Sequence, residues 1–163
     1  MANAGISLNT IENLLALKRM VIVGLSRDAK DFSVMLFNEL CRRGYDVMPV
    51  NPNATEIMGR QCFPSVRAIQ PPVDWALLMT SPITTEAVVH DCAEAGVRKI
   101  WLYRAGSTGG AVSADAVEFC RTHGIEVVPG ACPYMFFPKN GFHKVHGWIE
   151  KIAGWYPKRE KAA

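Results

Sequence analysis

The chain has 163 residues, 49% of them hydrophobic and 20% charged, with a net charge of +3. That is one domain's length with an ordinary globular composition, which excludes a disordered chain and leaves no room for the several domains of an ATP-driven ligase. No apolar run nears the roughly 18 residues of a membrane span, no basic stripe marks a nucleic-acid binder, and the N-terminus lacks a signal-peptide pattern.

Thr10 is expected to cap a short first helix carrying Ile11, Leu14 and Leu15. Met20-Val21-Ile22-Val23 follows, a short apolar run of the kind found in strands covered on both faces. From Phe32 to Arg43, the residues Val34, Phe37, Leu40 and Cys41 recur at helical spacing. Gly44 ends that helix, since glycine enters the left-handed conformation cheaply, and Val47-Met48-Pro49-Val50 makes a second strand. Trp75-Ala76-Leu77-Leu78-Met79 makes a third. Ser81-Pro82 reads as the cap and first-turn proline of a helix running to Ala95. Gly96 and then Ile100-Trp101-Leu102-Tyr103 repeat the glycine-then-strand unit. Ser113 caps a helix with Ala116, Val117, Phe119 and Cys120, and Gly124 with Glu126-Val127-Val128-Pro129 repeats the unit again. Phe142, Val145, Ile149, Ile152 and Trp155 trace a last helical stripe, ahead of the basic residues Lys158, Arg159 and Lys161.

Strands alternating with helices imply a parallel sheet with right-handed crossovers. The expected class is α/β: a Rossmann-like, doubly wound five-stranded parallel sheet of order 3-2-1-4-5, with helices on both faces and an extra C-terminal helix. Residues 1–163 are expected to form a single domain, with its core at about 18–137 and the helix and basic tail at 138–163.

Cys41, Cys62, Cys92, Cys120 and Cys132 are odd in number and contain no C-x-x-C pair. This pattern points to free thiols in a reducing cytoplasm and away from zinc. Cys41, Cys92 and Cys120 fall on helix faces and are expected in the core. His143 and His146 supply two ligands without a third, so no metal site is expected.

In a doubly wound sheet, ligands bind beyond the carboxyl ends of the strands. Five segments lie there: 24–33, 51–53, 80–82, 104–110 and 130–134. The first is the most telling. Gly24 closes a turn directly after a strand and leads to a helix N-terminus, where backbone N–H groups and the macrodipole favour a phosphate. Ser26 and Ser33 can donate to its oxygens, Arg27 and Lys30 can supply charge, and a side chain at Gly24 is expected to obstruct it. The segment is not a dinucleotide fingerprint: Ser26 and Ala29 stand where later glycines belong, and Val50-Asn51-Pro52 lacks the acidic ribose ligand. Nor is it a P-loop, since no G-K-[ST] follows. Asp28 stands in the final glycine's place of a nucleophile elbow.

Gly24-Leu25-Ser26, Gly44-Tyr45-Asp46-Val47-Met48-Pro49-Val50-Asn51-Pro52-Asn53, Gly59 and Cys62-Phe63-Pro64-Ser65 together resemble the stand-alone coenzyme A-binding protein family. Val73-Asp74, Ile100-Trp101-Leu102 and Val127-Val128-Pro129-Gly130-Ala131-Cys132-Pro133 extend the match. That family is similar to the N-terminal domain of the succinyl-CoA synthetase alpha subunit. The resemblance implies a site for coenzyme A (CoA) or an acyl-CoA. The turn of Gly24, Leu25 and Ser26, with Ser33, would hold the phosphates, and Arg27, Lys30 and Phe32 are expected among the cofactor-binding residues of the same loop. Val50, Asn51 and Pro52 would border the adenosine, and Thr80, Ser81 and Pro82 the middle of the ligand. Gly106, Cys132 and Pro133 would follow the pantetheine. Many relatives place a lysine shortly after the second strand, where this chain has Asn53-Ala54-Thr55. The cation for the 3′-phosphate then falls to Arg27, Lys30 or Arg60.

The function expected is CoA or acyl-CoA binding by a non-catalytic module with no catalytic residue, in the cytoplasm, bound to neither nucleic acid nor membrane. Two alternatives differ in class. One is a partner subunit of an acyl-CoA-forming or acyl-transferring enzyme; the other is an NAD-type nucleotide-binding redox sensor. The final stripe would pack on the domain's own flank or on a second subunit of a homo-oligomer.

Overall fold

The computed structural model describes residues 6–104 and 110–137. Five parallel strands form the sheet: β1 (Arg19–Val23), β2 (Asp46–Val50), β5 (Trp75–Leu78), β6 (Lys99–Tyr103) and β7 (Glu126–Ala131). A two-stranded antiparallel hairpin, β3 (Glu56–Ile57) with β4 (Arg60–Gln61), stands apart from it. The helices are α1 (Leu8–Ala16), α2 (Phe32–Arg42), α3 (Pro82–Glu94) and α4 (Ala114–Thr122). The expected C-terminal helix and Gly106 lie outside the described residues.

The strands are short apolar runs because both faces are covered. Met20, Ile22, Trp75, Leu77, Trp101 and Val128 point to one side, where Ile11 and Leu14 of α1 and Val34, Phe37 and Leu40 of α2 meet them. Val21, Val23, Ala76, Leu78, Ile100 and Leu102 point to the other, against Val89 and Cys92 of α3 and Ala116 and Cys120 of α4. Period-two alternation of this kind supplies two cores from one sheet, and each fully buried large side chain contributes about 1.5–3 kcal/mol. The two central tryptophans also satisfy their indole N–H groups: Trp75 Nε1 donates to Leu17 O at 3.1 Å and Trp101 Nε1 to Ala131 O at 2.9 Å.

The doubly wound class holds, but the strand order is corrected. The sheet runs β2-β1-β5-β6-β7, so the third long strand pairs with β1 and not outside β2. Val23 of β1 sits between Val50 of β2 and Leu78 of β5. The physical reason lies in the segment between β2 and β5. It forms no α-helix to cross beside β2. Instead Phe63 bridges the outer edge of β2 at Val50, and Val66, Ile69 and Val73 pack on the α3 face as the chain returns. Asp74 N then donates to Arg19 O at 3.0 Å, which registers β5 against the inner edge of β1.

The caps follow the sequence at two of the three expected places. Ser81 and Ser113 each accept from the N–H three residues on, at Thr84 and Ala116, and Pro82 occupies the first turn of α3. Ser7, not Thr10, caps α1: its extended backbone leaves Oγ facing Thr10 N at 3.1 Å. All five cysteines are free, with Cys41 half-buried and the other four buried.

Candidate functional site

The observed order puts the switch point between β1 and β5, the two central strands whose crossovers leave to opposite sides. Gly24 stands directly at that point. Its φ is +89°, and a Cβ built on it would lie 2.8 Å from Met79 O, just past β5. The glycine is therefore required by the neighbouring strand's backbone, before any ligand is considered.

From Gly24 the chain makes a braced loop. Ser33 Oγ accepts from Ser26 N at 3.0 Å and donates to Asp31 Oδ1 at 2.6 Å. Asp31 caps α2 by accepting from Ser33 N at 2.8 Å. Ser26 Oγ accepts from Asp28 N at 3.0 Å, and Asp28 Oδ1 accepts from Lys30 N at 2.9 Å. Ser33 is thus buried and engaged within the loop, while the Ser26 hydroxyl keeps its proton to donate. An acidic side chain holds the α2 N-terminus, where a carboxylate gains from the helix dipole. The backbone N–H groups of Leu25 and Arg27 make no hydrogen bond among the described residues. Arg27 and Lys30 are exposed on the same loop.

Beside this loop lies a cavity of about 320 Å³ between the carboxyl ends of β1 and β2 and the face of α3. Of the residues singled out in the sequence, Gly24, Val50, Asn51, Pro52 and Thr80 border it. Asn51 also fastens the site: Nδ2 donates to Leu25 O at 3.2 Å, and Oδ1 accepts from Asn53 N at 2.9 Å. Thr80 Oγ1 and the buried Thr85 Oγ1 are 2.7 Å apart, joining the end of β5 to α3.

The remaining candidates lie elsewhere. Leu25 turns its side chain into the core on the α2 side. Ser81 and Pro82 are exposed and build the start of α3. Phe32, on the α2 side, packs on Tyr103 and Tyr134 with ring centroids 5.5 and 5.7 Å away. Cys132 is 2% exposed and Pro133 is buried, just beyond β7. There the β6–β7 register skips Gly130, so that Tyr103 pairs with Ala131. Burial pushes the Tyr103 phenol up, with Cys132 and Asp31 adding to the shift. The arrangement has two neighbouring zones about the Gly24 turn: a cavity on the α3 side and an aromatic cluster on the α2 side. Arg60 belongs to neither, its guanidinium lying 5.9 Å from the Phe37 ring centroid.

The sequence reading missed the far wall of the cavity: Pro64 and Ser65 after β4, and Thr84, Val88 and Asp91 on α3. Positions 84, 88 and 91 share one helix face, but nothing in the sequence turns that face towards a ligand, and only the Phe63 bridge to Val50 places Pro64 and Ser65 at the end of β2.

The profile of a family described as CoA binding domain matches residues 18–138. An ADP-forming acetate–CoA ligase II from Archaeoglobus fulgidus is 24% identical over 139 residues, which cover 81% of this chain and 21% of the ligase. The chain thus spans about a fifth of that relative's length. A hypothetical protein from Pyrococcus horikoshii superimposes with a TM-score of 0.74 at 25% identity, covering 82% of this chain and 91% of that one. The dinucleotide-forming acetyl-coenzyme A synthetase 1 of Ca. Korarchaeum cryptofilum gives a TM-score of 0.61 at 26% identity, covering 72% and 27% respectively.

Proposed function

The chain belongs to the CoA-binding domain family, and we propose that it binds CoA or an acyl-CoA with the adenosine in the cavity between α3 and the ends of β1 and β2. The observation that carries this reading is that the cavity, at the carboxyl ends of β1 and β2, borders the switch point through Gly24 and Thr80, beside which doubly wound sheets bind nucleotide-like ligands. Its volume of about 320 Å³ is at the low end for cofactor sites, so it suits the nucleoside part, with the rest of the ligand running over the strand ends.

In this arrangement the N–H groups of Leu25 and Arg27 and the hydroxyl of Ser26 meet the phosphates. The side chains of Arg27 and Lys30 add positive charge, including that for the 3′-phosphate. Asp28 and Asp31 lie on the same loop, so these cations also offset two carboxylates. The pantetheine passes Thr80, Ser81 and Pro82 towards Cys132 and Pro133. The protein acts as a binding module and leaves thioester chemistry to other proteins. Among the described residues, Asp91 is the only ionisable side chain lining the cavity, and no group of three or more metal-ligating residues occurs.

A second reading has support from the relatives. Because the ligase and synthetase carry the matching region as a part of a longer chain, the protein would serve as the CoA-holding subunit of an acyl-CoA-forming assembly. The NAD reading has less support, because Asn51 stands where a ribose-binding carboxylate belongs and both ends of its amide are engaged.

Titration calorimetry with CoA, acetyl-CoA, NAD and ATP tests the proposal. Saturable binding of a CoA species and weaker or no binding of NAD is expected. Absence of binding by both CoA species would overturn it. Acyl-CoA formation by the purified chain from acetate, CoA and ATP would overturn the non-catalytic part alone.

A further inference from the structure

The cavity's walls differ in chemistry. Val50, Val66 and Val88 present apolar surface, and Ser65 and Thr84 bring hydroxyls. Asp91 alone brings a carboxylate. Its side chain is 30% exposed, and Oδ1 lies 3.3 Å from Arg67 Nε. Arg67 directs its shorter hydrogen bond, 2.7 Å, to Glu94 instead. A carboxylate accepts along about four lone-pair directions, so this one neighbour leaves Asp91 able to accept from a ligand.

The carboxylate's charge determines what it can face. A phosphate would be repelled, so the α3 end of the cavity is not the phosphate end; the phosphates belong at the opposite rim, by Leu25 and Arg27. An N–H donor on a flat apolar ring would be attracted. The 6-amino group of adenine is such a donor, whereas a 6-oxo purine would turn an oxygen towards the carboxylate. Resting on the CoA reading above, we propose that Asp91 determines base specificity. It accepts a hydrogen bond from the adenine 6-amino group and rejects 6-oxo purines.

The test compares the affinity of the unmodified protein for CoA and for its 6-oxo (hypoxanthine) analogue, then repeats both titrations on Asp91→Asn. Hydrogen bonds to charged groups are worth enough for at least about a tenfold preference for CoA in the unmodified protein. An asparagine amide can present either its donor or its acceptor, so in Asp91→Asn the preference should shrink to within about twofold. Equal binding of the two ligands by the unmodified protein would overturn the proposal, as would a full preference retained in Asp91→Asn. Those outcomes leave the CoA reading standing. Failure of the unmodified protein to bind either ligand would overturn that reading and this proposal together. The comparison on the unmodified protein does not depend on how the variant folds.

Discussion

Replacing Gly24 with alanine separates the demands of the fold from those of the ligand. The residue has a φ of +89°, and its new Cβ would lie 2.8 Å from Met79 O and 2.9 Å from Met79 C. Left-handed backbone costs an alanine about 1 kcal/mol. Overpacking against a backbone that must move adds about 1–3 kcal/mol, for a total loss of about 2–4 kcal/mol. Gly44 supplies the control. Its φ is +81°, but nothing lies within 4 Å of its Cβ position, so Gly44→Ala carries only the backbone cost of about 1 kcal/mol. Urea unfolding of both variants, at unchanged m, gives the two values directly. Gly24→Ala should be the less stable by at least about 1 kcal/mol. CoA affinity should fall with it, because the displaced turn carries the Leu25 and Arg27 N–H groups. Equal stabilities would refute the claim that β1 and β5 meet closely at this glycine.

Further outcomes follow from other parts of the site and fold. Val88→Trp fills the cavity from α3 and should weaken CoA binding by at least about tenfold in calorimetry, since a pocket must be vacant to bury its ligand; unchanged affinity would place the nucleoside elsewhere. Asp31→Ala removes the α2 cap and should cost about 1 kcal/mol in denaturant unfolding, while CoA affinity should not fall, because a carboxylate near the phosphates is lost. Hydrogen bonding from Arg42, assisted by Arg43, lowers the Glu39 carboxyl from 4.5 to about 2. Because the folded-state value is the lower one, this pair's stabilisation is present above pH 4.5 and is lost as the pH falls towards 2. Glu39→Gln should therefore flatten that part of the stability–pH curve by about 1 kcal/mol after solvent screening; an unchanged acid limb would count against the interaction.

The sequence exposes some of this architecture because certain residues do only one thing well. Ser81-Pro82 and Ser113 begin helices for reasons that need no tertiary context. Strand adjacency is not local in this sense. Each strand is a short apolar run, and nothing in Trp75–Leu78 states which neighbour it will pair with. That is decided by how residues 51–74 travel, and their hairpin turns through Met58 at φ 50° and Gly59 at φ 71°. Methionine rarely adopts that backbone, so no Asn-Gly signal announced the turn. The site divides the same way. The loops at the strand ends were legible because parallel sheets gather them at one edge. Thr84, Val88 and Asp91 were not, since the face they share on α3 carries no motif that marks it as facing a ligand. Ser33 looked available to a ligand because the sequence does not reveal that Asp31 and Ser26 engage it.

Amide chemical-shift mapping during a CoA titration is the most direct test of where the ligand sits. The largest changes are expected on Gly24, Leu25, Arg27, Asn51, Thr80, Thr84 and Val88, around the cavity and the turn beside it. Changes concentrated instead in the groove lined by Leu8, Glu12, Tyr45 and Phe137, or beside His90 and His123, would contradict it.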